Sequence, residues 1–279
     1  MSAAPMRSIL ITGCSSGIGK YCALALKDEG WRVFATARKP EDIAELKAFG
    51  LDAFYLNYTD EGSILSCLSG VLAQTGGTLD AVFNNGAYAQ AGAVEDVQTD
   101  VLRAQFEANF FGWHTLTRAI VPIMRKQGSG RIIHCSSILG RVALPFRGPY
   151  VASKYALEGL MLCLKLELAV TPITISLIVP GAIISKIATN ALPHFEKNID
   201  IEASPHCAAY QAQLARLRQG GVISKFKPGP EAVMKVLRHA LNATHPKTHY
   251  VVTITANFGL LLQWALPRWL NYRLLAHRG

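Results

Sequence analysis

Tyr150 and Lys154 lie four residues apart in the segment Y-V-A-S-K. Gly148 and Pro149 precede the pair and are typical of a helix start, so the phenol and the amine are predicted to share one helix face. A free phenol has a pKa of about 10 and exchanges protons poorly at pH 7 unless a nearby positive charge stabilises the phenolate. Lys154 would supply that charge. The pair therefore indicates an enzyme in which Tyr150 passes a proton to or from a substrate oxygen during hydride transfer.

Two serines, Ser136 and Ser137, end an apolar run shortly before this segment. One of their hydroxyl groups is expected to hold the substrate oxygen beside Tyr150. A tyrosine four residues before a lysine also occurs by chance on amphipathic helices, where the lysine reaches past an apolar face to solvent. The sequence around the pair therefore has to decide between a catalytic pair and an ordinary amphipathic helix.

A glycine-rich turn, T-G-C-S-S-G-I-G, follows the first apolar run of the chain. Glycines there allow a tight turn and the close approach of a pyrophosphate, and the N–H groups of the following helix attract negative charge. The spacing differs from G-x-G-x-x-G, and a glycine-rich turn alone is also compatible with an ordinary loop. Its place between a strand and a helix favours a dinucleotide site. The predicted contacts are Gly13, Ser15, Ser16, Gly17, Ile18 and Gly19.

The second apolar run ends in Arg38 and Lys39. Sites that prefer NAD carry an acidic residue at this point for the ribose 2′-hydroxyl, whereas a guanidinium can bind the 2′-phosphate of NADP. We therefore predict NADP(H) as the preferred cofactor and NAD(H) as the alternative, although an arginine on the surface after a strand would look the same. Asn57, Asn85 and Gly86 follow the third and fourth runs and are predicted to border the cofactor.

Seven apolar runs of strand length alternate with stretches of helical periodicity. The runs are SILIT, WRVFATA, LDAFYL, LDAVFN, RIIHCSS, ITISLIV and THYVVTI. Because they lack polar alternation, both faces of the sheet are expected to be covered by helices. The sequence predicts one α/β domain over residues 1–279, a doubly wound, Rossmann-like parallel sheet of about seven strands with helices on both faces. Residues 182–228 are irregular in pattern and are predicted to form a substrate lid.

The composition, 50% hydrophobic and 17% charged, indicates a globular chain with a large core. The six cysteines form no C-x-x-C pair, and no metal-ligand spacing is present, so we expect a reduced, cytoplasmic protein without a metal site. The first residues resemble no export signal, and no run reaches the ~18 apolar residues of a membrane span.

The net charge of +9 is concentrated near the C-terminus, where residues 225–279 hold eight Lys and Arg residues against one acid, Glu231. These cations alternate with Leu and Trp, which favours a membrane surface or a protein partner and argues against nucleic acid. We predict a basic, apolar extension over residues 256–279, with an interfacial helix kinked at Pro267. Packing on the lid, packing on a second subunit and a solvated basic face are the alternatives.

Five motifs taken in order resemble those of the short-chain dehydrogenase/reductase family: T-G-C-S-S-G-I-G, N-N-G-A, S-S-I-L-G, Y-V-A-S-K and P-G. They span residues 9–185, and their common register makes the resemblance more specific than any single motif. The resemblance implies NAD(P)-dependent alcohol or carbonyl chemistry in a homo-oligomer. It implies a catalytic tetrad of Asn109, Ser137, Tyr150 and Lys154, in which Asn109 positions a proton-relaying water. It adds Pro180, Gly181 and Ser185 to the cofactor contacts.

Two positions depart from the family pattern: N-N-G-A replaces N-N-A-G, and Asn57 stands where an aspartate is usual. The first change moves the flexible position by one residue beside the nicotinamide pocket. As a neutral acceptor, Asn57 is expected to hold the adenine less tightly than a carboxylate does. Neither change removes a catalytic group.

The segments VFATARKP, EANFFG and PFRGPYVASKYALEGL further resemble the hydroxysteroid, retinol and aliphatic-aldehyde branch of the family. An apolar pocket wall without a cation is expected to accompany such substrates. The predicted substrate contacts are Ser137, Tyr150, Tyr88, Leu139, Leu144, Phe146 and Ile183.

The predicted function is the NADP(H)-dependent interconversion of a hydrophobic aldehyde or ketone and its alcohol. One alternative is a 3-oxoacyl-thioester reductase, for which Arg141, Arg147 and Lys186 would meet an acyl carrier. The other is a non-catalytic dinucleotide-sensing module, because a fold can keep its cofactor turn after it has lost its chemistry. The intact Ser137, Tyr150 and Lys154 argue against the second alternative.

Overall fold

Seven parallel strands form a single sheet in the computed structural model, which describes residues 6–218 and 227–276. The strands are β1 (Ser8–Ile11), β2 (Arg32–Ala37), β3 (Asp52–Tyr55), β4 (Ala81–Asn84), β5 (Gly130–Cys135), β6 (Ile173–Val179) and β7 (His249–Val251). Their order across the sheet is β3-β2-β1-β4-β5-β6-β7, and every neighbouring pair is parallel. With helices on both faces, this confirms the predicted doubly wound α/β fold.

Helices connect the strands, and the helix that contains Tyr150 begins at Gly148, as predicted. They are α1 (Gly17–Asp28), α2 (Pro40–Ala48), α3 (Glu61–Gln74), α4 (Thr99–Phe106), α5 (Gly112–Gln127), α6 (Gly148–Glu167), α7 (Ile187–Asn198), α8 (Cys207–Arg218), α9 (Glu231–Asn242), α10 (Ile254–Ala265) and α11 (Arg268–Ala276). A π-helical turn, Glu107–Phe111, joins α4 to α5, and a 3₁₀ turn, Ile138–Gly140, precedes α6. Neither short turn is visible in the sequence pattern.

The central strands are buried along their whole length, which explains their unbroken apolar runs. Every residue of β1 and β4 is buried. The strand order reverses at β1, because β2 lies on one side of it and β4 on the other. In doubly wound folds, ligands bind in the crevice outside the carboxyl ends of the strands at this reversal.

Most of the described part of the predicted lid is helical, although its sequence pattern is irregular. Helices α7 and α8 pack on a second, smaller core that is separate from the main one. Its buried members are Ala91, Ala93, Phe195, Ile199, Tyr210 and Leu214. Pro193 lies inside α7, where it removes a single backbone donor without ending the helix. Residues 219–226 of the predicted lid lie outside the described residues.

The C-terminal extension consists of two helices where one kinked helix is predicted. Leu266 and Pro267 separate α10 from α11, and Pro267 stands just before the first residue of α11. The Asn271 side chain donates to the Leu266 carbonyl at 3.1 Å and so ties the two helices together. Within residues 6–218 and 227–276, no helix has the length and apolarity required to cross a membrane. Residues 277–279 of the predicted extension are not among those described.

Candidate active site

The turn after β1 requires glycine at several positions. Gly13 and Gly17 have φ angles of +70° and +58°, a region that side chains rarely adopt. A Cβ on Gly13 would lie 2.9 Å from the Gly86 nitrogen, and a Cβ on Gly19 would lie 2.7 Å from Asn85 Nδ2. The turn therefore packs directly on the loop after β4. Together with the N-terminus of α1, it offers a concave row of backbone N–H groups suited to phosphate.

The hydroxyl group of Thr12 holds this turn in place. Its Oγ1 accepts hydrogen bonds from the N–H groups of Asn85 at 2.8 Å and Gly86 at 3.1 Å. The buried Tyr58 hydroxyl lies 2.7 Å from the same oxygen and 2.6 Å from Asn84 Oδ1, and burial raises the pKa of Tyr58. Sequence reasoning missed Thr12 and Tyr58, although both stand beside predicted cofactor residues.

Lys154 is buried on α6 and is directed at the end of β5. Its Nζ donates to the carbonyl oxygen of Cys135 at 2.8 Å and lies 4.2 Å from the centre of the Trp113 ring. Burial lowers the pKa of Lys154 to about 8. The ammonium form therefore still predominates at neutral pH, held by one carbonyl oxygen and one aromatic face.

Tyr150 is 7% exposed, and its ring centre lies 5.7 Å from Lys154 Nζ. Burial raises the pKa of Tyr150, and a hydrogen bond with Ser137 opposes this rise in part. The lowering contribution in this structure comes from Ser137, and the effect of Lys154 on the pKa of the phenol stays a prediction. Ser137 Oγ also accepts a hydrogen bond from the Leu139 N–H at 3.1 Å, which fixes its position. The phenol is thus protonated at neutral pH and placed to donate a proton.

Asn109 lies in the π-helical turn, buried behind the cavity. Its Oδ1 accepts a hydrogen bond from the Tyr88 N–H at 3.2 Å, and its Nδ2 donates to the Tyr88 carbonyl at 2.8 Å. Both ends of the amide therefore hold the loop after β4. In this structure Asn109 thus positions the Tyr88 backbone, and its assignment to the catalytic tetrad stays a prediction.

A cavity of about 590 Å³ lies along the carboxyl ends of the central strands. The predicted cofactor residues in its wall are Gly13, Ser15, Ser16, Gly17, Ile18, Arg38, Asn57, Asn85, Gly86, Pro180, Gly181 and Ser185. The predicted catalytic and substrate residues in its wall are Ser137, Tyr150, Lys154, Tyr88, Leu139, Leu144 and Ile183. The glycine-rich turn and the Tyr150–Lys154 pair thus share one cavity.

Three further predicted contacts lie outside the cavity wall. Gly19 is behind the turn, where its lack of a side chain permits the packing described above. Lys39 is exposed at the start of α2 and lies 3.7 Å from Glu41. Phe146 has a φ of 59°, and its ring packs on the second core at a centroid distance of 5.5 Å from Tyr210. Lys39 and Phe146 thus lie outside the cavity wall in this structure, and their roles at the cofactor and substrate sites stay predictions.

The cavity also contains cations, contrary to the expectation of a cation-free wall. Arg147, Lys186 and Lys227 all line it. Burial lowers the pKa of the Arg147 guanidinium, and its one hydrogen bond among the described residues goes to the Phe146 carbonyl at 3.4 Å. The wall is otherwise mainly apolar. A ligand here meets an apolar surface with a cationic group near the first turn of α6.

The second core attaches the lid helices to the loop after β4. The Tyr210 hydroxyl on α8 accepts a hydrogen bond from the Ala93 N–H at 2.6 Å and donates to Asp96 Oδ2 at 2.5 Å. Helices α7 and α8 in turn contribute Leu192, Phe195 and Leu214 to the cavity wall. The described part of the predicted lid therefore does border the site.

Similarity to known proteins agrees with this geometry. The sequence profile described as short chain dehydrogenase matches residues 7–195. The uncharacterized oxidoreductase YbbO of Escherichia coli (strain K12) is 36% identical over 261 residues, which cover 94% of this chain and 91% of that protein.

Solved structures show the same relationship. A short-chain dehydrogenase from Streptomyces avermitilis aligns with a TM-score of 0.77 at 28% identity and 93% coverage of both chains. A variant of actinorhodin polyketide ketoreductase with NADPH aligns with a TM-score of 0.72 at 25% identity, covering 91% of this chain and 97% of that one. The chain therefore belongs to the short-chain dehydrogenase/reductase family of oxidoreductases.

Proposed function

We propose that this protein reduces a hydrophobic aldehyde or ketone to its alcohol with NADPH. The observation that carries the proposal is the buried, protonated Tyr150, which hydrogen-bonds with Ser137 at the wall of a mainly apolar cavity that also contains Lys154. A protonated phenol suits the reductive direction, because a carbonyl oxygen needs a proton donor as it becomes a hydroxyl group.

The chain's own residues fit a nicotinamide dinucleotide. The glycines at positions 13 and 17 leave a cradle of backbone N–H groups at the N-terminus of α1, which suits the pyrophosphate. Arg38 lines the same cavity and would pair with a 2′-phosphate. The relative crystallised with NADPH supports this choice of cofactor.

The mechanism follows from the contacts of three side chains. When bound, the cofactor supplies a hydride to the carbonyl carbon. Tyr150 gives its proton to the carbonyl oxygen, and Ser137 holds that oxygen in line. The phenolate that remains on Tyr150 is stabilised by the Lys154 ammonium group, which sits 5.7 Å from the ring centre. Proton uptake from solvent then restores the phenol.

The test is the substitution Tyr150→Phe, assayed by the loss of NADPH absorbance against a panel of aldehydes, ketones and steroids. Loss of a general acid is expected to lower kcat by about 10²–10⁴-fold while NADPH binding persists. Tyr155→Phe, which removes a phenol from a partly exposed position on the same helix, is the matched control and should leave kcat unchanged. If Tyr150→Phe kept wild-type turnover, the assignment would be wrong. A wild-type protein that binds NADPH but consumes none with any substrate would favour the sensing module.

Cofactor choice is tested by Arg38→Asp. Loss of a charge-assisted hydrogen bond and repulsion between the new carboxylate and the 2′-phosphate are expected to lower kcat/KM for NADPH by about 10–100-fold. For NADH, kcat/KM should stay the same or rise, because the carboxylate can bind the ribose 2′-hydroxyl. Lys39→Asp makes the same charge change one residue further on, outside the cavity wall, and should have a much smaller effect. An equal loss with both cofactors in Arg38→Asp would contradict the preference for NADP(H).

A second candidate function is the reduction of a 3-oxoacyl thioester. Arg147 and Lys186 in the cavity wall favour it, because they offer cations to a phosphorylated carrier arm. Similarity to a polyketide ketoreductase supports the same chemistry. Arg147→Gln separates the two functions: it should raise KM for an acyl thioester of coenzyme A if the cations serve a carrier, and leave KM for a simple aldehyde unchanged.

A further inference from the structure

Helices α10 and α11 expose an unusually apolar surface. On α10, Ile254, Phe258, Leu261 and Trp264 follow one another at helical spacing and are 88%, 57%, 56% and 85% exposed. On α11, Trp269 and Tyr272 are 65% and 67% exposed. We call these six side chains the aromatic face. Helices in globular proteins normally turn such residues toward the core, so this arrangement marks an interaction surface.

The charged side chains within α10 and α11 are all positive. Arg268 and Arg273 are exposed on α11, and the sequence contains no Asp or Glu after Glu231. A second copy of this chain docked on the same face would bring two basic helix pairs together, with no acidic side chain on α10 or α11 to offset the charge. An anionic surface, in contrast, matches both the cations and the apolar side chains.

We propose that the aromatic face binds the surface of an anionic lipid bilayer. Trp and Tyr side chains suit this boundary because each combines an apolar ring with a polar group. Basic amphipathic helices lie in the interfacial plane with their apolar side chains below the headgroups. The two helices are too short to span the bilayer, so the contact is peripheral.

The helix pair starts directly at the cavity wall. Thr253 and Ala256 pack against Gly181, where any Cβ would approach the Ala256 side chain to 3.1 Å. Gly181 is itself part of the cavity wall. Binding through the aromatic face would therefore hold the cavity close to the lipid and let an apolar carbonyl compound pass from the bilayer to Tyr150. This consequence rests on the proposed function, whereas the binding itself does not.

Tryptophan fluorescence can report this contact selectively. Trp31 and Trp113 are buried in the main core, at 6% and 0% exposure, whereas Trp264 and Trp269 are exposed. A shift in emission on addition of vesicles therefore comes from the aromatic face. The full chain is mixed with vesicles of phosphatidylcholine alone or with phosphatidylglycerol added, and both emission and cosedimentation are measured. We expect a blue shift and pelleting with the anionic vesicles, reduced by salt.

Variants separate the apolar and electrostatic contributions. Trp264→Ser combined with Trp269→Ser should reduce pelleting at least ~10-fold, because two large apolar side chains no longer enter the interface. Leu166→Ser combined with Val170→Ser removes two apolar side chains that are 75% and 96% exposed elsewhere, and should pellet like the wild type. Arg268→Gln combined with Arg273→Gln should weaken binding to the phosphatidylglycerol vesicles by ~5-fold for each charge removed. The preference for these vesicles over phosphatidylcholine alone should then be abolished.

Several results would overturn the proposal. Absence of pelleting with both vesicle types would do so, as would equal pelleting of the tryptophan and the control variants. A dimer in size-exclusion chromatography that the tryptophan variant converts to a monomer would assign the face to a second copy. NADPH oxidation is measured without vesicles and pelleting without substrate, so failure of the lipid proposal is distinguishable from failure of the proposed reductase.

Discussion

Replacing Lys154 by methionine should make the cofactor-free protein more stable while abolishing its activity. Lys154 is buried, and burial lowers its pKa from 10.5 to about 8. At 1.36 kcal/mol per pKa unit, holding the ammonium group in this environment costs about 3 kcal/mol at pH 7. Methionine fills a similar volume without a charge. It loses the hydrogen bond to the Cys135 carbonyl, which is worth about 1 kcal/mol, so the variant should gain about 2 kcal/mol.

This gain should depend on pH in a defined direction. Because the pKa of Lys154 is lower in the folded than in the unfolded protein, the unfolded chain binds the additional proton between pH 8 and pH 10.5. The wild type therefore becomes more stable as the pH rises through this window, relative to the variant. The advantage of Lys154→Met is expected in full below pH 8 and should be lost by about pH 10.5.

The measurement is urea unfolding of both proteins at several pH values, in the absence of cofactor. Lys235→Met, at an exposed position of α9, controls for the removal of a lysine and should show neither the gain nor its pH dependence. A difference in the free energy of unfolding that stayed constant from pH 7 to pH 10 would refute the reasoning. So would a variant less stable than the wild type at pH 7.

Two further predictions concern the turn and the lid. Gly13→Ala should weaken NADPH binding at least ~10-fold in a fluorescence titration, since its Cβ would press on the Gly86 backbone. Gly128→Ala is the control, because it has a similar φ of +76° but no atom near the added Cβ, and it should leave binding intact. Tyr210→Phe should lower the free energy of unfolding by about 1–3 kcal/mol, because the Ala93 N–H and Asp96 each lose a buried partner. Urea unfolding checks this, and an unchanged midpoint would argue against the second core as the attachment of the lid.

The sheet is predictable from the sequence because its signal is local. Strands buried on both faces carry unbroken apolar runs, and the turn after β1 has to use glycine where the backbone adopts positive φ. The same holds for Tyr150 and Lys154, since a helix fixes the relation between residues four positions apart. Local sequence signals therefore predict the sheet, the glycine-rich turn and the Tyr150–Lys154 pair.

Other features depend on contacts between distant segments and leave no local signal. Asn109 is predicted only from its motif, and the hydrogen bonds that it makes with the Tyr88 backbone depend on the fold. Phe146 is an apolar residue near the site, yet its backbone conformation accompanies packing on Tyr210 of α8. Arg147 lies at a helix start, where sequence periodicity does not tell whether a guanidinium faces solvent or a cavity.

The hydroxyl group of Thr12 has a consequence for how ligands enter and leave. One oxygen atom joins the first turn to the loops that contain Tyr58 and Asn85, so hydrogen bonds tie these three segments together. A pocket whose nucleotide-binding side is already ordered loses little conformational entropy when a nucleotide binds. The opposite wall belongs to α7 and α8, which stand on their own small core. We expect the turnover rate to be limited by the opening and closing of α7 and α8, while the side of the pocket that contains Thr12 stays fixed.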